Sequence, residues 1–212
     1  MITFDGQCVA PQNHQAPSLE AIALSLGRQC RFGGQTRQWY CVLAHSMLVC
    51  DIATFIPDSA PSLSLACLLH DAGEAVCGDI PTPWKTEADR RREDEILGRI
   101  YDSLGLGHMW PLTIDLAEAV AKADLLALRA EATLLMPPQI ATAKYGAIEP
   151  IYPNEQTDDL QLYALRRTQE YIEYCRMPFA WIEQGGAEQV SWVVGVERLA
   201  DEVRMTEEGL KS

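Results

Sequence analysis

Between residues 65 and 83 the chain reads LACLLHDAGEAVCGDIPTP. An apolar run, Leu65 to Leu69, leads directly into His70 and Asp71, with Glu74 and Asp79 close behind. A helix entering a core normally keeps its carboxylates on the wet side. In helical geometry His70 and Glu74 stand four residues apart and Asp71 and Glu74 three, so the three share one face. Imidazole beside carboxylate is an ordinary ligand set for a divalent transition metal. Taken alone, a buried histidine beside a capping aspartate explains the stretch as well.

Two further residues break the apolar pattern in the same way. Asp124 falls within the stripe Ala117, Val120, Ala121, Leu128 and Leu135 of a long helix. An unpaired carboxylate there is costly, so Asp124 needs a cation, whether a metal ion or an arginine. His45 sits among Leu43, Ala44, Met47, Leu48 and Val49, where a lone histidine is ordinarily a satisfied core residue. Three helices that each place a ligand-type residue in apolar surroundings are harder to dismiss than any one of them alone.

The elements that must position these residues are helical. Ser18 caps a helix whose apolar face is Leu19, Ile22, Ala23 and Leu26, and Gly33-Gly34 breaks it. A second helix is expected over 36–55, carrying His45, and a third over 62–76, carrying His70 and Asp71. GDIPTPW is turn chemistry. A charged helix follows over 87–104, its Arg90-Arg91-Arg92 and Glu93-Asp94-Glu95 forming a solvated face. An amphipathic helix spans 113–135 and a last one 157–175. Residues 1–12 alternate enough for a short hairpin, and VSWVVGV in the tail reads as a strand or buried turn. The class is all-α, a mainly helical bundle with minor β at the termini.

Length and composition suit one domain: 212 residues, 48% apolar and 22% charged. No apolar run reaches the roughly 18 residues of a membrane span, and MITFDGQCVAP lacks the pattern of a signal peptide. The seven cysteines (8, 30, 41, 50, 67, 77, 175) include no C-x-x-C pair and read as reduced residues of a cytoplasmic protein. A net charge of −13 repels long nucleic acids. It leaves room for a small anionic substrate where a few basic groups gather.

The pattern H…HD…D, here His45, His70-Asp71 and Asp124, resembles the signature of the HD-domain metal-dependent phosphohydrolases. The extension HD-x-x-E-x-x-x-x-D, here His70-Asp71, Glu74 and Asp79, is similar to their 5′-deoxynucleotidase branch. CRFGGQTRQWYCVLAHSMLV and LLHDAGEAVCGDIPTPWK resemble a phage and bacterial subgroup that includes deoxyadenosine triphosphate triphosphohydrolases. The resemblance covers about residues 1–175, and residues 176–212 form an extension packed on that domain or at a subunit contact.

That resemblance implies His45, His70, Asp71 and Asp124 as ligands of one divalent ion, with Co, Mn, Zn, Fe and Ni all open; a second ion can arrive with the phosphates. It implies Glu74 as the group that orients or deprotonates the nucleophilic water, and Asp79 as general acid toward the leaving oxygen. Arg31 and Phe32 match an arginine and aromatic pair that grips phosphate and sugar or base, although relatives often carry Trp at the aromatic position. Lys85 matches a phosphate-binding lysine of triphosphate-cleaving relatives; as a residue it reads equally as a solvated surface lysine. The implied substrate is a small (deoxy)nucleotide, a mono- or a triphosphate, and the implied assembly a homo-oligomer. The alternative is a non-catalytic HD-fold module that binds nucleotide or metal.

Overall fold

The structure, a computed structural model, describes residues 3, 5–10, 15–56, 59–145, 155–175 and 187–209. His14 and the tail stretch RMPFAWIEQGG lie outside this set, as does part of the hairpin expected over 1–12. Where that stretch is described it forms a turn, with the Thr3 N–H donating to Gln7 O at 2.9 Å.

The architecture is all-α. Helix α1 (Leu19–Arg28) begins at Ser18, whose hydroxyl accepts from the Ala21 N–H, a cap worth about 1 kcal/mol. Helices α2 (Val42–Phe55) and α3 (Pro61–Leu69) follow, then the single-turn α4 (Glu74–Cys77). Helix α5 (Glu87–Ser103) opens with a capping box between Thr86 and Asp89, and α6 (Ile114–Leu135) with Thr113 as cap. A short α7 (Pro138–Ile140) and a wide turn (Ala141–Tyr145) lead on to α8 (Glu155–Cys175) and α9 (Ala187–Gly209).

Helix α2 is the axis of the bundle. Its apolar residues go round the whole circumference, from Val42, Leu43 and Ala44 to Ile52 and Ala53, as suits a helix surrounded by protein. Helices α1, α3, α6, α8 and α9 all pack on it. His45 is therefore central from the outset.

Five expectations are corrected. The tail VSWVVGV is neither strand nor turn but part of α9, which buries Trp192, Val196, Leu199, Ala200 and Val203 in the main core. Among the described residues no strand forms: the minor β expected at the ends amounts to bridge residues, Cys8 near the N-terminus and the isolated antiparallel pair Cys30 and Cys41. That bridge is also why α2 starts at Val42 rather than near residue 36. The Arg31 N–H donates to Tyr40 O at 2.9 Å and the Val42 N–H to Gln29 O at 3.0 Å, which commits residues 40 and 41 to an extended path.

The helix expected over 62–76 breaks after Leu69. The backbone tightens there to three-residue bonds, Ala72 N–H to Leu69 O at 2.8 Å and Glu74 N–H to Asp71 O at 3.0 Å. Gly73 lets α5 approach this turn closely, because a Cβ at that position would stand 3.0 Å from the Glu93 carbonyl. Gly78, at φ 83°, then ends α4. Lastly, the buried face of α6 is Val120, Ala123, Ala127, Ala130, Glu131 and Leu135, while Ala117 and Ala121 are exposed. Asp124 lies at its edge.

Candidate metal centre

Three elements converge on one point: α2 through His45, the α3–α4 turn through His70 and Asp71, and α6 through Asp124. Ligand atoms of His45, His70 and Asp124 all lie within 4.8 Å of one another, and this group can hold a metal ion. His45 Nε2 is 3.2 Å from His70 Nε2 and 3.0 Å from Asp124 Oδ1. Asp71 stands beside them, with Oδ2 at 3.3 Å from His70 Nε2 and 3.6 Å from His45 Nε2. That oxygen is buried and has no hydrogen-bond partner. The Asp124 side chain is 40% exposed and forms the open side of the cluster.

Each imidazole is aimed by its other nitrogen. His70 Nδ1 donates to the Cys67 carbonyl at 2.7 Å, one turn back on α3. His45 Nδ1 donates to Glu131 Oε1 at 2.7 Å, since a carboxylate can only accept. Both Nε2 atoms are thereby turned inward. Burial and the Arg31 charge oppose protonation of His45, yet Glu131 and Asp124 overcome them and raise it to about 10. Burial likewise opposes the charged form of Asp71, but His70, His45 and Arg31 hold its carboxyl well below the usual range. The cluster is arranged around positive charge at its centre.

Glu74 lies next to this group, buried at the first residue of α4. Burial, then the charges of Asp71 and Asp79, push its carboxyl up to about 8, against Lys85 and Arg31. Its Oε1 accepts from Lys85 Nζ at 3.3 Å, and Oε2 has no partner. Asp79 is half-buried, and burial raises its carboxyl against the pull of Arg31. Lys85 is not a solvated surface lysine. It is locked between Glu74 and Glu93, the latter at 2.8 Å.

Arg31 leans over the cluster from the other side. Nη1 is 3.6 Å from Asp71 Oδ2 and Nη2 is 3.3 Å from Glu131 Oε2, while Nε is buried without a partner. Its guanidinium sits 5.4 Å from the Phe32 ring centroid. Phe32 takes the left-handed conformation, φ 56°, which costs a non-glycine residue roughly 1–2 kcal/mol. Strain of this kind marks functional segments more often than inert ones. The ring is not free, however. It packs on Ala132, Met136 and Ala141 and meets Tyr145 edge-on at 5.7 Å.

Two residues of the site escaped the reading of the sequence. Glu131 is fully buried, seven residues beyond Asp124 and thus two turns along the same face of α6. The signal was present: a glutamate between Ala130 and Ala132 at that spacing. Gln29, at the end of α1, brackets Glu74 and Asp79. Its amide nitrogen donates to Glu74 O and its amide oxygen accepts from the Asp79 N–H, both at 2.9 Å. Nothing local to Gln29 announces this, because its partners lie some fifty residues away.

Fold and site together describe an all-α protein with a histidine–carboxylate group able to hold metal. No protein-family profile matches the chain. Over 112 residues, 52% of its length, it is 33% identical to the uncharacterized protein YfdR of Escherichia coli K12, covering 56% of that protein. Over 120 residues, 54% of its length, it is 34% identical to an uncharacterized protein of Rhodobacter capsulatus, covering 60% of that one. The chain thus spans little more than half the length of these curated relatives. Among the described residues no helix is long and apolar enough to cross a membrane.

Proposed function

We propose that this chain is a metal-dependent phosphohydrolase of the HD-domain type acting on (deoxy)nucleotides. The observation that carries the reading is the pairing of the His45, His70 and Asp124 group with Glu74, a buried carboxyl raised to about 8 close by. A group that titrates near neutrality next to a metal centre is suited to proton transfer.

His45, His70, Asp71 and Asp124 would hold the ion, and the unpartnered Asp71 Oδ2 fits the role of fourth ligand. Two imidazole nitrogens and two carboxylate oxygens suit Mn, Fe, Co, Ni or Zn. When bound, such an ion lowers the pKa of a coordinated water and polarises a phosphoryl oxygen. Glu74 would orient the attacking water and accept its proton. Asp79, raised by burial, delivers a proton to the leaving oxygen. Arg31 has an unpartnered Nε–H to offer, with its other in-plane N–H donors, to phosphate oxygens. Phe32 presents an apolar edge to sugar or base. Lys85 would have to leave Glu74 or Glu93 before gripping a phosphate chain.

The experiment is product analysis on metal-loaded protein, with each deoxy- and ribonucleoside mono- and triphosphate as substrate. Orthophosphate from monophosphates would make it a 5′-nucleotidase. Tripolyphosphate from a triphosphate would make it a triphosphohydrolase. No product from any of them, with the ion bound, would sink the catalytic reading in favour of a binding module.

A further inference from the structure

Glu131 has no exposed surface and touches two charged groups of the site at once. Oε1 accepts from His45 Nδ1 at 2.7 Å, and Oε2 accepts from Arg31 Nη2 at 3.3 Å. We propose that Glu131 is a positioning residue shared by two subsites: it holds the His45 ring with Nε2 on the metal group, and it holds the Arg31 guanidinium beside it for an anion. The anion half rests on the phosphohydrolase reading above; the metal half stands on geometry alone.

The metal half follows from the imidazole. With Nδ1–H donated to a carboxylate, Nε2 is the nitrogen left for an ion, and the ring cannot swing on its Cβ without losing that bond. Carboxylate partners of this kind also make the ligand more basic. Their removal ordinarily weakens metal binding about 10–100-fold.

The anion half follows from Arg31. Its guanidinium is strung between Glu131 and Asp71, with Nη2 on the first and Nη1 facing the second. Nε, buried like the rest of the head, has no partner. A largely buried guanidinium hydrogen-bonded at one corner, ion-paired at another and with its Nε–H unpartnered has donor capacity left for an oxyanion. Without Glu131 the guanidinium would lose its hydrogen bond to a carboxylate and keep the Asp71 ion pair at 3.6 Å.

A merely structural Glu131, present to neutralise Arg31 in the core, would be needed for stability and nothing else. Glu131→Gln separates the two cases. The side chain keeps its length, and its oxygen can still accept from His45, but its amide NH2 faces Arg31 donor to donor. Two titrations read the result without turnover: Co²⁺ into metal-free protein, then orthophosphate into the Co²⁺-loaded form. We expect Co²⁺ affinity to fall about 10–100-fold and orthophosphate affinity to fall about tenfold or more. Should the Gln variant fail to fold, Glu131→Asp keeps the charge one methylene short and is expected to weaken both constants. Unchanged Co²⁺ affinity in a folded variant would overturn the proposal, as would weakened Co²⁺ binding with orthophosphate binding intact. Failure of the phosphohydrolase reading would show elsewhere, as absence of turnover in the unaltered protein.

Discussion

The Nε2 atoms of His45 and His70 lie 3.2 Å apart, although the two residues belong to different helical segments and each ring is fixed by its other nitrogen. Two ring nitrogens held face to face, with Asp71 and Asp124 around them, need a positive charge between them. A divalent ion at a hundred times its dissociation constant should stabilise the fold by about 2.7 kcal/mol. In a chain of this size that raises the melting temperature by roughly 5–10 °C. Thermal melts with and without chelator check this. Asp71→Asn should abolish the difference, and a difference that persists would remove Asp71 from the ligand set.

Glu74→Gln should separate binding from chemistry. The metal affinity is expected to stay within about threefold, since Glu74 lies outside the ligand set, while turnover falls about 10²–10⁴-fold. Metal titration and initial rates on the same preparation give both numbers. Full activity in the variant would take the proton-transfer role from Glu74.

The metal-free protein should lose stability as pH rises through neutrality. Glu74 is raised from 4.5 to about 8. The folded state therefore binds the extra proton between those values, and the stability this brings declines as pH climbs through them. His45, raised from 6.5 to about 10, contributes stability that is full below 6.5 and lost as pH passes through 10. Asp71, held low, acts oppositely: its contribution is present above 3.8 and fades only in strong acid. Chelated protein melted from pH 5 to pH 10 should show a falling melting temperature, and Glu74→Gln should flatten the lower part of that fall.

Gln29→Ala removes the bracket that joins Glu74 to Asp79. Turnover should drop about tenfold to a hundredfold through misplacement of the pair, with metal binding unchanged. A parallel loss of metal affinity would show instead that Gln29 supports the whole turn.

Trp192→Ala tests whether α9 belongs to the core. Trp192 is fully buried with Val196 and Leu199, and its removal should cost about 3–5 kcal/mol in denaturant unfolding. A cost under about 1 kcal/mol would mean that α9 can leave without disturbing the bundle.

Periodicity, capping residues and the displaced polar residues were legible along the chain itself. Ser18 announces its helix, and His45, His70 and Asp124 stand out because ligand-type side chains interrupt apolar faces. Those are local properties, decided by neighbours a few residues away. What tertiary structure decided are the relations between distant segments. The extended path at Tyr40 and Cys41 exists because Cys30 pairs with it across the chain. Gly73 sits where the backbone of Glu93, twenty residues on, leaves little room for a side chain. VSWVVGV, apolar enough for a strand, is helical where it fills a groove against α1, α2 and α3. The roles of Gln29, Glu131 and Lys85 arise from hydrogen bonds that only the folded chain can form. Patterning along the chain determines which side chains are buried; packing determines which of them meet.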